Sequence, residues 1–528
     1  MDNISRRSLL TAGLGAGLIA AAPSAAVAVS TADDAGLRTY PFALGIASGE
    51  PWPDGFVIWT RLAVNPVAED GLGGMPSRNV AVQWEVAEDA GMRRVVARGV
   101  ERARIETAHS VHVELRGLRP GREYFYRFRA GKHLSPVGRT LTSPAPHETP
   151  AALAMAFASC AQYEHGYFTA YKRLAEDHPD LVLHLGDYLY EYKKGSYVIG
   201  GGNPRDHAGP ETVTLETYRQ RHAQYKSDAD LQEAHAIAPW AVVWDDHEVD
   251  NNWADDVPEN SDASQLNDTL AHFRQRRSAA FQAYYENMPL RPSSLPAGPD
   301  MKIYRRLQWG QLANFHMMDT RQYRDDQLAG DGWQKNVAER LAEDRTITGA
   351  EQEQWLLDGF KDSTQHWDIL GQQVFFAERD RAAALDVDDV SMDGWDGYAA
   401  SRRRITQGWV DANVRNAVVL TGDVHRNWAN EVKVDYKDPA SPVVGTELVC
   451  TSITSTGNGT GSTADPTMAW NPHLKFYNDN RGYVNTKITR DSLQADFRTL
   501  DQVTTPGAPA STKASFVIQD GVPGLQAQ

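Results

Sequence analysis

Five short runs, ALAMAFAS, DLVLHLG, WAVVW, WDILG and NAVVLTG, constrain this chain more than any other feature. Each is apolar almost without interruption and lacks the alternation of a strand that turns one face to water. Runs of this length and composition are strands buried on both faces, and such strands need covering layers above and below. Helix-like stretches lie between several of them, for example FTAYKRLAEDH and EQEQWLLDGFK. Thr348, followed three residues later by Glu351, marks a capping box at the start of the second. Residues 151–505 are therefore expected to form a layered α/β domain.

The chain ahead of this region has a different texture. Between Phe42 and Thr142, GFVIWTRLAV, VAVQWEVAED, VHVELRG and YFYRFRAG alternate apolar with polar residues, with Pro120-Gly121 as a turn. The stretch VHVELRGLRPGREYFYRFRA resembles a fibronectin type III-like hairpin, so residues 35–145 are expected to form an all-β sandwich of fibronectin III or immunoglobulin kind. TSPAPHETP, residues 142–150, reads as a linker. Residues 506–528, in a stretch rich in Thr, Pro, Ala and Gly, are expected to be a frayed tail.

The extreme N-terminus reads as an address. Ser5-Arg6-Arg7, the apolar stretch Leu9–Ala22 and the small residues Ala26-Val27-Ala28 form a twin-arginine signal peptide over residues 1–28. The protein is thus expected outside the cytoplasm, in periplasm, cell wall or medium, with the twin-arginine export machinery as a partner. No later apolar run approaches the roughly 20 residues of a spanning helix, so no transmembrane anchor is expected. Lys and Arg total 53 against 69 acidic residues, a net charge of −16, which disfavours electrostatic binding of nucleic acid or anionic lipid. Two cysteines cannot make a disulfide scaffold, and a monomer is expected.

Chemistry is concentrated where strands end. ALAMAFAS runs into Cys160, and DLVLHLG into Asp187 with Tyr190 three residues on. WAVVW runs into Asp245-Asp246-His247-Glu248 with Asn251-Asn252 just after, and NAVVLTG into Asp423-Val424-His425. Ligands of open sheets bind beyond the carboxyl ends of the strands, so four such strands in one sheet would bring these loops to one site. A single Asp after a Gly is often only a turn residue or a helix cap; the set carries the signal. Cys160, Tyr190 and His425 offer thiolate, phenolate and imidazole, which suit a transition metal. Asp246 and Asp423, with a nearby Asn, offer oxygen alone, which suits a hard cation such as calcium. Asp187 can bridge the two, and bridged ions serve phosphoryl transfer.

GDYLY (186–190), DDHE (245–248) and GDVH (422–425) resemble the GDxxY, GNHE and GHxH blocks of metallophosphoesterases and purple acid phosphatases. SCAQ around Cys160, WDDHEVDNNW, MDTRQYR (318–324), WDGY (395–398), TGDVHRNWA and FALGIASGEPWPDGFVIWTRL make the closer resemblance one to PhoD-like alkaline phosphatases. That resemblance implies a four-layer αββα metallophosphoesterase sandwich. It implies an exported enzyme that hydrolyses small phosphate mono- or diesters through metal-activated hydroxide at a site holding Fe(3+) and Ca(2+). The implied iron ligands are Cys160, Asp187, Tyr190 and His425. The implied calcium ligands are Asp187, Asp246 and Asp423, with Asn252 as a further candidate. Asp246 stands at the Asn of GNHE and Asp423 at the first His of GHxH, and both changes make the second site all-oxygen. By the same resemblance His247 binds phosphate or protonates the leaving oxygen, Arg321 clamps phosphate oxygens, and Asp245 lies just behind the ligands. Other readings stay open: a Cys160–Cys450 disulfide, an Arg321 surface ion pair with a nearby Asp, and a phospholipase D-type phosphodiesterase. Further from the resemblance stand a non-catalytic phosphate- or glycan-binding protein and an iron oxidoreductase. Without a disulfide, Cys450 is a small buried hydrophobe.

Overall fold

The computed structural model describes residues 37–259, 269–384 and 386–527. The twin-arginine segment, residues 1–28, lies outside the described residues. All five apolar runs are strands: Leu153–Ala158, Leu181–Leu185, Pro239–Val243, Trp367–Gly371 and Ala417–Thr421. Only Ala154 among their residues escapes full burial.

They do not share one sheet. The first three stand side by side and parallel in a ten-stranded sheet, whereas the last two are parallel neighbours in a seven-stranded sheet. Phe157, Leu183 and Val242 of the first sheet meet Phe315, Ile369 and Val418 of the second in one continuous apolar core. Leu370 and Val419, on alternate positions, pack instead with Leu356 and Phe360 of helix Gly349–Asp362 and Ile405 and Trp409 of helix Ala399–Asp411. Burial on both faces explains the absence of alternation in these runs.

The boundary expected at residues 142–150 does not separate two independent sheets. Strand Ile46–Trp52 pairs in parallel with Pro239–Val243, and Gly55–Arg61 and Ser110–Glu114 extend the same ten-stranded sheet. Over these strands lies a five-stranded sheet containing Val80–Ala87, Val95–Ala103 and Glu123–Ala130. Its Val82, Tyr126 and Phe128 pack on Phe56, Ile58 and Val111. VHVELRGLRPGREYFYRFRA is therefore not a hairpin: Ser110–Glu114 pairs with Gly55–Arg61, and Glu123–Ala130 with Val80–Ala87. The turn between them is a corner joining two sheets, closed by the Arg119 N–H donating to the Tyr124 hydroxyl at 3.0 Å.

Two further expectations are corrected. Thr348 precedes helix Gly349–Asp362 but sits in the right-handed helical region, so its hydroxyl makes no cap bond. A capping residue needs extended backbone to aim its oxygen at the first turn; Glu351 instead accepts from the Tyr304 hydroxyl at 2.9 Å. The C-terminal tail is not frayed. Ala510–Gln519 and Val522–Ala527 are the last two strands of the ten-stranded sheet, and Phe516 and Ile518 belong to the main core. No helix among the described residues is long and apolar enough to cross a membrane.

A chain ending at Thr504 loses both strands and the burial of Phe516 and Ile518, each worth about 1.5–3 kcal/mol. Circular dichroism should find it melting well below the full chain or failing to fold; an unchanged melting temperature would reduce these strands to an appendage.

Candidate metal centre

Three parallel strands of the first sheet, Leu153–Ala158, Leu181–Leu185 and Pro239–Val243, end at the same edge. Two residues past their ends stand Cys160, Asp187 and Asp245, the last followed by Asp246. The loop after Ala417–Thr421 arrives from the other sheet with Asp423 and His425. Two glycines permit the meeting. A Cβ on Gly422 would lie 2.8 Å from Cβ and Oγ of Ser159, and one on Gly186 would lie 2.5 Å from Cβ of Asp245. The chain turns sharply at these points. Cys160, Asp187, Asn252, Asp423 and His425 all adopt positive φ, between 51° and 61°. Such backbone costs about 1–3 kcal/mol at each non-glycine position and concentrates at functional sites.

Most candidate ligands converge around Asp187, although Asp423 joins neither of two close groups. Cys160, Asp187 and His425 each offer a donor atom within 4.8 Å of the others, and so do Asp187, Asp246 and His247. Asp187 belongs to both groups. The Tyr190 hydroxyl donates to Asp187 Oδ2 at 2.8 Å, lies 3.1 Å from His425 Nε2, and accepts from Ser455 Oγ at 2.8 Å. The Asn252 N–H donates to Asp246 Oδ2 at 2.8 Å, and its amide donates to Asp331. Tyr188 turns the other way, to His235 Nε2 at 2.8 Å, because the chain at Asp187 is not extended. Cys160 and Cys450 are both free thiols, bridged by the Ser159 hydroxyl at 3.1 and 3.4 Å. The disulfide reading is thereby overturned.

Arg321 is completely buried and held between two carboxylates. Its Nε donates to Asp245 Oδ1 at 2.6 Å, and Nη1 and Nη2 donate to Asp393 at 2.8 and 3.2 Å. An ion pair is present, but buried rather than at the surface, and two of the five guanidinium N–H groups are not used by these bonds. His247 rests on the Tyr190 ring, 3.9 Å between centroids, with Nδ1 2.7 Å from Glu191 Oε2. Nε2 is thus the nitrogen left for a reacting group.

Four residues went unassigned from sequence. Glu248 accepts the backbone N–H groups of Asp187, Tyr188 and Asp245, clasping two ligand loops together. Glu191 orients His247, Asp393 anchors Arg321 and Arg324, and Ser455 reaches Tyr190. Glu191, Glu248 and Asp393 lie beside or inside the quoted motifs, where a signal existed; Ser455, in TSITSTG, carried none.

The electrostatics call for cations. Burial, then neighbouring acids, push Asp187 and Asp423 well above the usual carboxylate range, although His247 and Arg321 respectively oppose this. Burial raises Asp245 to about 6 against the pull of Arg321, and raises Glu248 to about 8. Against burial, Arg321 and His247 hold Asp246 below its ordinary value. Burial and the Asp187 charge raise the Cys160 thiol and the Tyr190 phenol well above theirs. Burial keeps His425 neutral, with Arg481 adding to it. Buried Asp187 Oδ1, Asp246 Oδ1 and Asp245 Oδ2 have no hydrogen-bond partner among the described residues. Unsatisfied carboxylate oxygens facing a neutral imidazole, a thiol and a phenol suit bound metal, which would deprotonate the last two. The donor set fits.

Strand-end loops from two sheets meet at a cluster of side chains that could hold metal ions. Residues 155–497 match the PhoD-like phosphatase family, and residues 26–144 match the PhoD-like phosphatase N-terminal domain. The chain belongs to the PhoD-like phosphatase family and is a phosphoric ester hydrolase. It is 50% identical to alkaline phosphatase D of Bacillus subtilis (strain 168) over 517 residues, 98% of this chain and 87% of that protein. The solved structure of PhoD superposes with a TM-score of 0.89 at 50% identity, covering 93% of both chains. These matches displace the non-catalytic and oxidoreductase readings.

Replacing Arg321 with Met should cost about 3–5 kcal/mol in urea unfolding, because Asp245 and Asp393 lose a buried partner. A substrate clamp would instead leave stability intact and raise only KM.

Proposed function

We propose that the centre holds Fe(3+) at Cys160, Asp187, Tyr190 and His425, and Ca(2+) at Asp187, Asp246 and Asp423 with Asn252 beside it. The observation that carries this reading is the double membership of Asp187 in a group with sulfur and imidazole and in a group richer in oxygen. Bound together, such ions supply Lewis acidity and a hydroxide nucleophile at alkaline pH.

The chain's own residues do the rest. Glu191 fixes the imidazole of His247 so that Nε2 faces the ester and can protonate the leaving oxygen. Asp245 and Asp393, locked by Arg321, hold the second loop in place. Arg426 is a second candidate for a phosphate oxygen beside Arg321. It follows His425 directly and donates only to that residue's carbonyl, at 2.9 Å, among the described contacts.

The proposal extends to architecture and address. Residues 35–145 are a fibronectin III- or immunoglobulin-like sandwich whose inner layer the catalytic sheet continues. The remainder is an αββα metallophosphoesterase sandwich that runs through the final strands rather than ending at residue 505. Arg6-Arg7 with Leu9–Ala22 supports export by the twin-arginine route, which carries folded, metal-loaded protein, and the enzyme works as a monomer on small phosphate esters.

Metal analysis of one sample, assayed on nitrophenyl phosphate and on its bis ester, tests the reading. Turnover of at least one ester with iron and calcium both present supports it, and faster turnover of the diester would favour the phosphodiesterase form. Loaded protein that turns over neither ester would sink it. Asp423→Ala should lose calcium and activity while keeping iron, because oxygen-only sites exchange more readily than anionic sulfur and phenolate sites. A phenolate on ferric iron absorbs visible light. Tyr190→Phe should therefore weaken or shift the absorption band, and Tyr188→Phe should leave it alone. An unchanged spectrum in Tyr190→Phe would remove that residue from the iron.

A further inference from the structure

We infer that the outer face of the five-stranded sheet, toward its Val95–Ala103 edge, docks peripherally on an anionic lipid surface. This face is separate from the metal centre and uses none of its residues.

The whole-chain charge of −16 argues against anionic partners only if the charge is spread evenly. It is not. Between Arg78 and Leu141, thirteen Lys and Arg residues stand against seven Asp and Glu, so a basic layer sits on an acidic body. At physiological ionic strength, exposed charges more than about 8 Å apart are largely screened from one another. The face that meets a partner therefore decides the attraction, not the total.

Strand pairing fixes which side chains share the outer face, because residues opposite each other in a ladder point the same way and successive residues alternate. Val82, Tyr126 and Phe128 point inward to the small core. Their neighbours Gln83, Arg127 and Arg129 therefore point outward. Ladder partners extend this side into two rows, Arg98–Glu85–Arg127 and Val100–Gln83–Arg129–Leu134. Arg102 follows, opposite Ala81. Arg98, Arg102 and Arg129 are exposed, and among the described residues none of the three forms an ion pair. Arg127 alone is paired, to Glu85 at 2.8 Å. Val100 and Leu134 share the row with Arg129 and are 38% and 39% exposed. Val95 and Val96 add exposed apolar surface where the strand begins.

Unpaired guanidinium groups with bare apolar side chains between them suit a lipid interface. The arginines meet headgroup phosphates, and the valine and leucine enter the acyl boundary. A hydrophilic polyanion would use the arginines alone and leave Val100 and Leu134 in water. A second copy docked face to face would set like charges opposite each other. Arginine on an edge strand also blocks unwanted strand pairing, but that purpose needs only the edge. Arg129 and Leu134 lie on the third and fourth strands from it.

Flotation with vesicles of phosphatidylcholine, alone or in equal mixture with phosphatidylglycerol, tests this on the full chain. Every variant keeps the same N-terminus, so Arg6-Arg7 and Leu9–Ala22 contribute equally throughout. Wild type should bind the mixed vesicles more tightly than phosphatidylcholine alone and lose the difference as salt rises. Arg98→Gln, Arg102→Gln and Arg129→Gln should each weaken binding to the mixed vesicles about fivefold. Leu134→Ser should weaken it without changing the salt dependence, and Lys513→Gln, on strand Ala510–Gln519, should leave it alone. Melting temperature and turnover of nitrophenyl phosphate should stay at wild-type values throughout. Equal binding of wild type to both vesicles, or arginine variants that bind as wild type does, would overturn the docking surface. Displacement by polyphosphate, with Leu134→Ser binding as wild type does, would overturn it too and mark a soluble polyanion as the partner.

Discussion

Everything near the catalytic edge answers to one constraint: several carboxylates are buried together. Asp187, Asp245, Asp246, Glu248 and Glu191 are all removed from water, with Asp423 half-buried beside them. An ionised carboxylate taken from water costs several kcal/mol unless it is paired or hydrogen-bonded. The protein meets part of that demand itself. Glu248 takes three backbone N–H groups, Glu191 takes a His247 nitrogen and the Asn251 N–H, and Asp245 takes Arg321. Arg321 is fixed in turn by Asp319, which accepts the N–H groups of Arg321 and Gln322 and the Trp244 indole. Three carboxylate oxygens stay unsatisfied, one each on Asp187, Asp245 and Asp246. The incomplete compensation is what makes this a site: the remaining demand has the sign and position of a cation.

Bringing the carboxylates together requires loops from two opposed sheets to touch, and the backbone absorbs the cost. A strand end that must reverse within a residue takes left-handed φ, which is why Cys160, Asp187, Asp423 and His425 share it. Gly186 and Gly422 remove the side chains that would hold Asp245 and Ser159 away. The strain is tolerable because the strands beneath are locked in one core spanning both sheets. Rigid strands with strained ends are a sound way to hold side chains near one another when their charges repel.

Much of this was legible before any coordinates, and what was not has physical causes. The five apolar runs, and the polar residues that follow them, located the strands and nearly every residue of the centre, because burial on both faces leaves an unmistakable pattern. Pairing partners were less legible. Nothing in NAVVLTG distinguishes a strand of one sheet from a strand of the facing one, so its sheet could not be assigned from the run itself. VHVELRGLRPGREYFYRFRA has the spacing of a hairpin, yet its corner, closed by Tyr124, sends the second strand into another layer. Composition also misled at the C-terminus. Residues rich in Thr, Ala and Gly can pair as strands when an existing edge, here Ser492–Leu500, offers a ladder. Arg321 could be read from its motif as clamp or surface ion pair; that it is instead buried against Asp245 and Asp393, 76 and 72 residues away, depends on pairings the motif does not carry.

The same ladder logic explains why the N-terminal region is not a detachable module. Strand Pro239–Val243 carries Asp245 and Asp246, and its outer neighbour in the sheet is Ile46–Trp52. Ser48 and Gly49 pair with Pro239 and Trp240, and Gly49 comes so close that a Cβ would lie 2.6 Å from the carbonyls of Trp240 and Pro289. Glu50 continues the lock by accepting Arg305 of the second sheet at 3.0 Å. Without this strand, the one that leads into Asp245, Asp246 and Glu248 would become an open edge with unpaired N–H and C=O groups. The five-stranded layer then has a reason to exist at one end of a catalytic sheet. It closes the edge on which the centre depends, and its own small core of Val82, Tyr126 and Phe128 against Phe56 and Ile58 holds that closing strand in register.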